Sequence, residues 1–490
     1  MIEREILAEI VGGQNISNTK STLDEYSRDI SFVHSVIPDY VVKPANAEQV
    51  RKLVKLANKT ATPLVPVSSQ GPHFRGDTVP NIGGAIMVDL SSMKKIVRID
   101  RVNRVAICEP GVTYGELIPA LAKEGLRVIM PLSPRKTKSV VGALLEREPP
   151  MIPIYHWDIA DPLNCVEVIF GTGDMFRTGS AAGPGTLEEQ WASYQSQNEA
   201  AGPSAVSLHR VIQGAQGTIG IVTWASIRLE LLPSLEKPFL IGSSRLEKIQ
   251  ELAYWLVRRK LVNECLILNN VNLAAIMAKK WPDDFYRIKN SLPPWVLFLN
   301  IAGYEYLPAE KVKYQTTEML KIAQNLDLKV DSSLGELEST EVLKSIRTPS
   351  DSDDPYWKLR YKGSSQDIVF LSMYERVPEY IKILTDTATE YGYPVSDIGI
   401  YLQQIVQGCN WHCEFNLPYD PNKDREVNLV KDLTSALTER LLNNKAFFSR
   451  PYGENTSLIM NKDAATVNSL RKVKNIMDPN NIMNPGKLCF

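Results

Sequence analysis

The sequence predicts an α+β protein with more than one domain. Its 490 residues exceed what one hydrophobic core usually supports, since single cores stop growing at about 250–300 residues. Short strands and helices alternate up to about residue 232, whereas longer amphipathic helices separated by short strands follow Pro233. This change predicts two packed units, the second with helices on an antiparallel sheet.

The helices of the first unit begin at recognisable caps. Asn46 followed by Gln49 is typical of a capped helix start, and apolar residues then recur at helical spacing. Thr113 and Glu116 have the spacing of a capping box, in which each side chain bonds the other residue's backbone N–H. The helix that follows is expected to end at Gly125.

Apolar runs bounded by turn-forming residues predict the strands of the first unit. Buried strands are expected at 62–67, 85–90 and 105–109. Residues 166–170 and 175–177 flank the string GTGD, which predicts a β-hairpin.

In the second unit, apolar residues at helical spacing predict three long helices. They cover residues 246–262, 309–326 and 425–443, and a strand is expected at 295–301. The last twenty residues predict a helix that leads into a tail rich in Pro, Asn and Gly.

Composition excludes several classes of function. The chain has 55 Lys and Arg against 56 Asp and Glu, so it lacks the basic excess of a general nucleic-acid binder. No stretch approaches the roughly 20 apolar residues that span a bilayer. The N-terminus does not resemble a secretory signal. The six cysteines are scattered, which favours reduced thiols. These features predict a cytoplasmic protein without a membrane span.

Four Gly- or Pro-containing loops, each after a predicted strand, are the strongest functional signal. They lie at 68–74, 109–114, 139–142 and 214–223. Consecutive backbone N–H groups in such loops form anion-binding nests, and small residues let the main chain approach a pyrophosphate. No P-loop and no dinucleotide-binding GxGxxG accompany them. The loops therefore predict a nucleotide cofactor bound outside the usual nucleotide motifs.

The order of these motifs resembles a known family. The matching strings are PVSSQGPHFRG from residue 66, MVDLSSM from 87, EPGVTYGEL from 109, SVVG from 139, VEVIFGTGDMFRTG from 166, GTIGIVT from 217 and DPNNIMNPGK from 478. Together they resemble the vanillyl-alcohol oxidase (PCMH-type) FAD-linked oxidases, nearest the branch of vanillyl-alcohol oxidase and 4-cresol dehydrogenase.

The resemblance implies a domain plan and a cofactor. It implies a PCMH-type FAD-binding domain of two α+β subdomains at 1–235, an α+β cap domain with an antiparallel sheet at 236–465, and a C-terminal segment at 466–490 that returns to the FAD domain. The flavin would take hydride directly from a substrate carbon. Whether FAD is covalently attached stays open.

The resemblance also implies the cofactor-binding residues, which come from the four loops and the C-terminal tail. They are Ser69, Gln70, Gly71, His73, Pro110, Gly111, Ser139, Val140, Gly142, Gly217, Gly220, Ile221, Val222, Asn484 and Lys487. His73 lies near the position from which another branch tethers its flavin, although a non-covalent role is equally compatible with its position.

Asp158 is the first candidate catalytic residue. It precedes Glu167 by nine residues, the offset at which phenol-oxidising members carry an acid beside the flavin N5. A carboxylate there would accept a proton or stabilise positive charge. The alternative is an Asp that caps a turn in the string HWDIADP.

Arg450 is the second candidate, in a segment where the resembled branch places a Tyr-Arg pair that binds phenolate. Its rigid fork of donors suits an anionic oxygen or a carboxylate. Ser449 stands where the tyrosine is expected, so the phenolate clamp is incomplete. A structural salt bridge is the alternative role for Arg450.

His412 is the third candidate, and several roles stay open. It would tether the flavin, act as a neutral base, bind a metal with Glu414, or be a structural histidine. Cys409 and Cys413 flank it, but they form only half of a zinc motif, so no metal site is predicted.

These residues lead to three hypotheses of function. The first is an FAD-dependent oxidoreductase acting on a small alcohol or a para-alkylphenol. The second is a 2-hydroxy-acid dehydrogenase of the lactate or glycolate type, with a carboxylate on Arg450. The third is a flavin-binding electron-transfer subunit without a substrate of its own. The expected partners are a small-molecule substrate, a redox partner protein and further copies of the chain.

Overall fold

The computed structural model describes residues 2–202, 207–351 and 355–490. The predicted α+β class is confirmed, and the strands form three main sheets. Among the described residues, no helix combines the length and apolar character needed to cross a membrane.

The first sheet is mainly parallel. Its strands are β1 (Ile16–Ser17), β2 (Tyr40–Val42), β3 (Leu64–Val67) and β4 (Ile86–Asp89), in the order β1-β2-β4-β3. Strands β2 and β3 both pair with β4 in parallel. The accompanying helices are α1 (Arg4–Val11), α2 (Lys20–Tyr26) and α3 (Ala47–Thr60). Helix α3 begins at the predicted cap, where Gln49 N donates to Asn46 Oδ1 at 3.0 Å.

The second sheet is antiparallel and centred on one long strand. Its strands are β5 (Ile96–Asp100), β6 (Val105–Cys108), β7 (Leu126–Val128), β8 (Leu163–Phe170), β9 (Met175–Arg177) and β10 (Gly220–Leu231). Strand β10 pairs with β6, β7 and β8, and β8 with β9 forms the predicted hairpin. The helices are α4 (Tyr114–Lys123), α5 (Val140–Leu145), α6 (Leu187–Ala192) and α7 (Leu208–Ile212).

The third sheet carries the longer helices and is also antiparallel. Its strands are β11 (Leu235–Ser243), β12 (Glu264–Asn269), β13 (Trp295–Gly303), β16 (Ser364–Ser372), β17 (Gly399–Ile405) and β18 (Asn410–Tyr419), in the order β11-β13-β12-β17-β18-β16. A small ribbon is made by β14 (Ser333–Leu334) and β15 (Leu337–Glu338). The helices are α8 (Leu246–Arg258), α9 (Asn270–Met277), α10 (Asp283–Ser291), α11 (Pro308–Asn325), α12 (Ser339–Arg347), α13 (Trp357–Arg360), α14 (Val377–Glu390) and α15 (Asp424–Asn443).

The third sheet is buried on both faces. Along β12, Leu266 and Leu268 pack into the core that continues beneath β8 and β10, whereas Cys265 and Ile267 pack under helices such as α8 and α15. Alternate side chains of a strand point to opposite faces, so β12 contributes side chains to the hydrophobic cores on both sides of the third sheet. The third sheet thereby stands directly against the second.

The C-terminal segment returns to the first sheet. After α16 (Thr456–Met460) and α17 (Ala464–Met477), the tail runs beside β3, where Leu64 N donates to Ile482 O at 2.7 Å and Asn484 N donates to Leu64 O at 2.8 Å. Ile482 and Met483 belong to the core of the first unit. The domain limits given above remain a prediction, although β11 of the third sheet begins at Leu235.

Candidate functional site

A large cavity lies where the first two sheets meet the third. It holds about 1600 Å³ of empty space including its opening to solvent. One wall comes from the loops after β3, before α5 and before β10. The facing wall comes from α13, β16, β17 and β18, and from the segment after α15.

Ser139 holds three of the predicted loops together. Its backbone N–H donates to Ser69 Oγ at 3.0 Å, and its hydroxyl donates to Pro110 O at 2.6 Å. Its Oγ also accepts from Gly142 N at 2.8 Å, which caps α5. Ser139 is fully buried and does not line the cavity, so it positions the loops.

Two glycines at this wall allow their main chain to pack closely against the residues at the end of β3. A Cβ on Gly142 would lie 2.9 Å from Ser68 Oγ, and one on Gly217 would lie 2.5 Å from Pro66 Cγ. Gly217 also has φ of +72°, a conformation that other residues adopt only with strain. Both glycines line the cavity.

The C-terminal tail supports the same loops from behind. Asn484 Nδ2 donates to Asp77 O at 2.8 Å and to Gln216 O at 2.7 Å, so one amide joins two cavity loops. Lys487 is bonded to Asn81, and burial lowers its pKa to about 8. Neither Asn484 nor Lys487 lines the cavity.

The predicted site residues therefore fall into two groups. Those that line the cavity are Ser69, His73, Pro110, Gly142, Gly217, Gly220, Ile221, Val222 and Arg450. Those that do not line it are Gln70, Gly71, Gly111, Ser139, Val140, Asp158, His412, Asn484 and Lys487.

Gly111 shows why a loop glycine need not face the cavity. A Cβ there would lie 2.7 Å from the carbonyl oxygens of Leu90, Ser91 and Met93. The glycine is thus required by close packing of its loop against the turn after β4. Gln70 and Gly71 are exposed, and Gln70 O accepts from Arg135 Nη1 at 2.8 Å.

The interior of the cavity contains a charged cluster that sequence reasoning missed. Arg75 contacts both Glu146 and Glu148, the latter at 2.8 Å, and Lys138 also contacts Glu146. Burial alone would raise the pKa of Glu146, but Lys138 and Arg75 outweigh it and lower the pKa to about 2. The spacing of the two glutamates just after α5 was the available sequence signal.

Arg450 is a buried cation with unused donors. It is 8% exposed, and its Nη2 lies 3.8 Å from Glu148 Oε1. Among the described residues, neither its Nε nor its Nη2 has a hydrogen-bond partner. Burial, followed by the charge of Arg75, lowers the pKa of Arg450. A buried guanidinium in this state is an open site for an anion.

The facing wall presents a second ionic group centred on Lys358. Its Nζ contacts Asp367 Oδ2 at 2.5 Å and also Glu414. Burial by itself would raise the pKa of Glu414, but the ammonium of Lys358 outweighs it and holds the pKa well below its usual range. Lys358, Asp367 and Glu414 all line the cavity.

His412 lies directly behind Glu414. It is 1% exposed, and its Nε2 is 3.5 Å from Glu414 Oε2 without a hydrogen bond to a described residue. Burial lowers the pKa of His412, so the ring is neutral near pH 7. The predicted candidate is therefore separated from the cavity by one carboxylate.

The structure places Asp158 away from the cavity. Its side chain is exposed and lies outside the cavity wall. The main chain of Asp158 is hydrogen-bonded on both sides, since Asp158 O accepts from Arg210 Nη2 at 2.7 Å and Asp158 N donates to His156 Nδ1 at 3.3 Å. Asp161 is the buried acid of this turn, and it accepts from Gln213 Nε2 at 2.8 Å.

Four aromatic residues differ in the same way in their position relative to the cavity, and the two cysteines beside His412 differ in their burial. Tyr401 and Tyr452 line the cavity, whereas Trp157 and Trp411 do not. Cys409 is exposed and Cys413 is buried. Within the described ranges, no group of three or more His, Cys, Asp or Glu side chains has the geometry of a metal site.

The residues present fit FAD. Small residues and main chain at Gly142, Gly217 and Gly220 allow close approach of a pyrophosphate. Apolar side chains at Val141, Ile219, Ile221 and Val222 provide the flat contact that a flavin ring needs. Arg450, whose Nε and Nη2 have no hydrogen-bond partner among the described residues, lines the same cavity from the other side.

Family models match two parts of the chain, one near each end. An FAD binding domain matches residues 38–179, and the C-terminal domain of FAD linked oxidases matches residues 453–488. The first match contains three of the four loops, and the second contains the tail beside β3.

Two curated relatives match more than nine-tenths of the chain, and a third matches about half of it. The glycolate oxidase subunit GlcD of Bacillus subtilis is 23% identical over 99% of this chain and 96% of the relative. The mitochondrial D-lactate dehydrogenase [cytochrome] of Arabidopsis thaliana is 22% identical over 92% of this chain and 73% of the relative. The 4-cresol dehydrogenase [hydroxylating] flavoprotein subunit of Pseudomonas putida is 26% identical over 47% of this chain and 42% of the relative.

Solved structures share the fold over the full length. p-Cresol methylhydroxylase with substrate bound matches with a TM-score of 0.83 at 17% identity, covering 99% of this chain and 96% of the other. The 4-ethylphenol oxidase from Gulosibacter chungangensis matches with a TM-score of 0.84 at 17% identity and the same coverage. The protein thus has the PCMH-type two-domain FAD-binding fold. It is an FAD-linked oxidoreductase, of the oxidase or dehydrogenase type.

Proposed function

We propose that this chain oxidises a small 2-hydroxy acid to the 2-oxo acid, with the substrate carboxylate bound by Arg450. The observation that carries the proposal is the buried guanidinium of Arg450, whose Nε and Nη2 lack partners in the described chain and whose side chain lines the cavity. A carboxylate matches the planar fork of donors and would neutralise the buried charge. Two relatives that span more than nine-tenths of the chain are named for glycolate and D-lactate.

The reaction requires removal of a hydride from C2 and of a proton from the hydroxyl oxygen. FAD, when bound, supplies the hydride acceptor. Arg450 fixes the carboxylate, which limits how C2 can be oriented in the cavity. Glu414 lines the cavity, and Lys358 keeps its carboxylate ionised. The proton leaving the hydroxyl is accepted by the pair of Glu414 and the neutral His412 behind it.

The pairing of Glu414 with His412 compensates for the low basicity of that carboxylate. A carboxylate whose pKa is depressed accepts a proton only weakly. His412 adds a second acceptor, because burial lowers the pKa of its ring and leaves it neutral, with Nε2 not hydrogen-bonded to a described residue. Because His412 Nε2 is 3.5 Å from Glu414 Oε2, a proton reaching Glu414 has a base within one short transfer. We assign His412 the role of final acceptor and Glu414 that of the group nearest the substrate.

A second candidate substrate is a para-alkylphenol or a related aromatic alcohol, as in the vanillyl-alcohol oxidase branch. Tyr356 and Tyr452 line the cavity together with Arg450, so a phenolate oxygen would meet hydroxyl donors despite Ser449. Burial raises the pKa of Tyr356 to about 12, which keeps its proton available for donation. The structures sharing the fold include enzymes named for cresol and ethylphenol.

Anaerobic reduction of the FAD-loaded protein separates these substrates. Glycolate, D-lactate, 4-cresol and vanillyl alcohol are each mixed with the protein, and loss of the flavin absorbance is followed. Reduction of the flavin by the hydroxy acids alone supports the proposal. Reduction by the phenols alone supports the second candidate substrate instead. Protein that is yellow but reduced by none of them would favour an electron-transfer subunit. Acid precipitation of the same sample shows whether the flavin is covalently held.

Electron acceptor, assembly and location stay predictions. We retain a redox partner protein as a proposal because one similar relative is named as the flavoprotein subunit of its enzyme. A homo-oligomer and a cytoplasmic location are likewise kept as proposals.

A further inference from the structure

A second cavity adjoins the first and shares its wall. Phe74, Arg75, Asp367, Arg450 and Tyr452 line both. The second cavity holds about 850 Å³ of empty space including its opening to solvent. Any molecule bound at Arg450 therefore borders two spaces, and of the predicted cofactor loops only the one at 68–74 reaches the second space, through Phe74.

Beyond the shared wall, the second cavity is lined mainly by neutral hydrogen-bonding and aromatic groups. The neutral polar ones are Ser31, Ser365, Gln366, Thr434, Ser435, Thr438 and Asn455. Phe32 and Phe448 add aromatic surface. The charged residues here are Lys431 and Glu454, and they pair with each other at 3.1 Å at the partly exposed edge. This lining suits an uncharged group that carries hydroxyls or amides.

Thr434 has an unused hydroxyl in this cavity. Its Oγ1 is buried and has no hydrogen-bond partner among the described residues. By contrast, Thr438 one turn later donates to Thr434 O at 2.8 Å, and the Ser435 hydroxyl lies 3.2 Å from Asn455 Oδ1. A buried hydroxyl without a partner is costly, so a bound polar group is expected to satisfy it.

We propose that the second cavity binds the neutral, hydroxyl-bearing tail of a substrate whose carboxylate is held by Arg450. The inference rests on the proposed function and deepens it, because it defines a 2-hydroxy acid longer than glycolate or lactate. The carboxylate sits at the shared wall, C2 faces the main cavity, and the tail extends towards Thr434. Substrate length and tail polarity are then selected by α15 and β16.

The test compares three acids on the full-length, FAD-loaded protein: D-gluconate, (R)-2-hydroxyhexanoate and D-lactate. D-gluconate has a polar tail, (R)-2-hydroxyhexanoate has an apolar tail of equal carbon number, and D-lactate has almost none. The kcat/KM for flavin reduction is expected to be at least about 10-fold higher for D-gluconate than for the other two. Dissociation constants from calorimetry should follow the same order.

Thr434→Val removes the hydroxyl with little change of shape. It should lower kcat/KM for D-gluconate by roughly 3–10-fold, the worth of one neutral hydrogen bond, and leave D-lactate within about twofold. Thr317→Val on α11 is the matched control, since its hydroxyl donates to Lys313 O on an exposed helix face. Thr434→Trp, which fills the cavity, should abolish D-gluconate binding while D-lactate still binds.

Each outcome decides one of the two claims. If glycolate or D-lactate reduces the flavin but D-gluconate neither reacts nor competes, the second cavity is not a tail site and the proposed function stands. Equal rates with both six-carbon acids and no effect of Thr434→Val would also overturn the inference. If no hydroxy acid reduces the flavin, the proposed function fails. In that case calorimetry still tests the second cavity. D-gluconate binding that is weakened by Thr434→Val would support a tail site there, and absence of D-gluconate binding would reject it.

Discussion

Arg450 and Glu148 approach each other to 3.8 Å inside the cavity, while Glu148 is already bound by Arg75 at 2.8 Å. The carboxylate of Glu148 is thus paired mainly with Arg75, and Arg450 keeps two nitrogens without a partner among the described residues. A cation in this state is paired loosely enough to bind a substrate anion. The shared Glu148 prevents it from being an isolated buried charge.

Removal of the Arg450 side chain should weaken catalysis strongly. Arg450→Ala is expected to raise KM and lower kcat/KM by about two decades or more, in line with the ~2–5 kcal/mol lost when a buried charged contact is broken. Arg450→Lys should restore only part of the activity, because an ammonium lacks the planar fork. Arg245→Ala, at a side chain that is 69% exposed, is the control. Wild-type activity of Arg450→Ala would make the residue structural.

Binding of FAD should depend on Gly142. Gly142→Glu adds a side chain where a Cβ already lies 2.9 Å from Ser68 Oγ, and it places a negative charge against the pyrophosphate. Purified variant should be colourless and should not regain flavin absorbance with added FAD. Gly13→Glu changes a glycine with no atom within 4 Å of its Cβ position and should stay yellow. A yellow Gly142→Glu protein would place the pyrophosphate elsewhere.

Asp158→Asn should leave flavin reduction almost unchanged. The side chain is exposed and lies outside the cavity, so the substitution removes no group from its wall. A positioned acid or base would cost ~10²–10⁴ in rate, and stopped-flow reduction by substrate measures the difference directly. A loss of that size would mean that the turn rearranges when FAD and substrate bind, bringing Asp158 to the reacting centre.

The Glu146 ion pairs should make stability fall in acid. The folded state lowers the pKa of Glu146 from its usual 4.5 to about 2, so its stabilising effect is complete above pH 4.5 and is lost as the pH falls towards 2. Glu146→Gln should reduce the free energy of unfolding at pH 7 by roughly 2–3 kcal/mol. It should also flatten the acid limb of a denaturation series. The exposed Glu188→Gln is the control, and identical acid limbs for both variants would contradict the assignment.

The sequence by itself determined the features that depend on residues near one another in the chain. Helix caps such as Asn46 with Gln49, the turn formers of the hairpin and the order of the glycine loops follow from local backbone chemistry. The resemblance of the ordered motifs to a known family implied the FAD site and the return of the tail, and the local signals were enough for the α+β class. Each of them works through hydrogen bonds between close neighbours, which a sequence displays directly.

Only the tertiary structure decided which side chains face the cavity and which charges meet there. Arg75 and Glu148 are 73 positions apart, and Lys358 and Glu414 are 56 apart, so no local pattern indicates their pairing. Asp158 has the expected offset, but its side chain is exposed and lies outside the cavity wall. A loop fixes the path of its main chain locally, whereas the direction of each side chain depends on packing from distant segments. For that reason the cofactor loops were recognisable in advance, and the arrangement of Arg450, Glu148 and Glu414 was not.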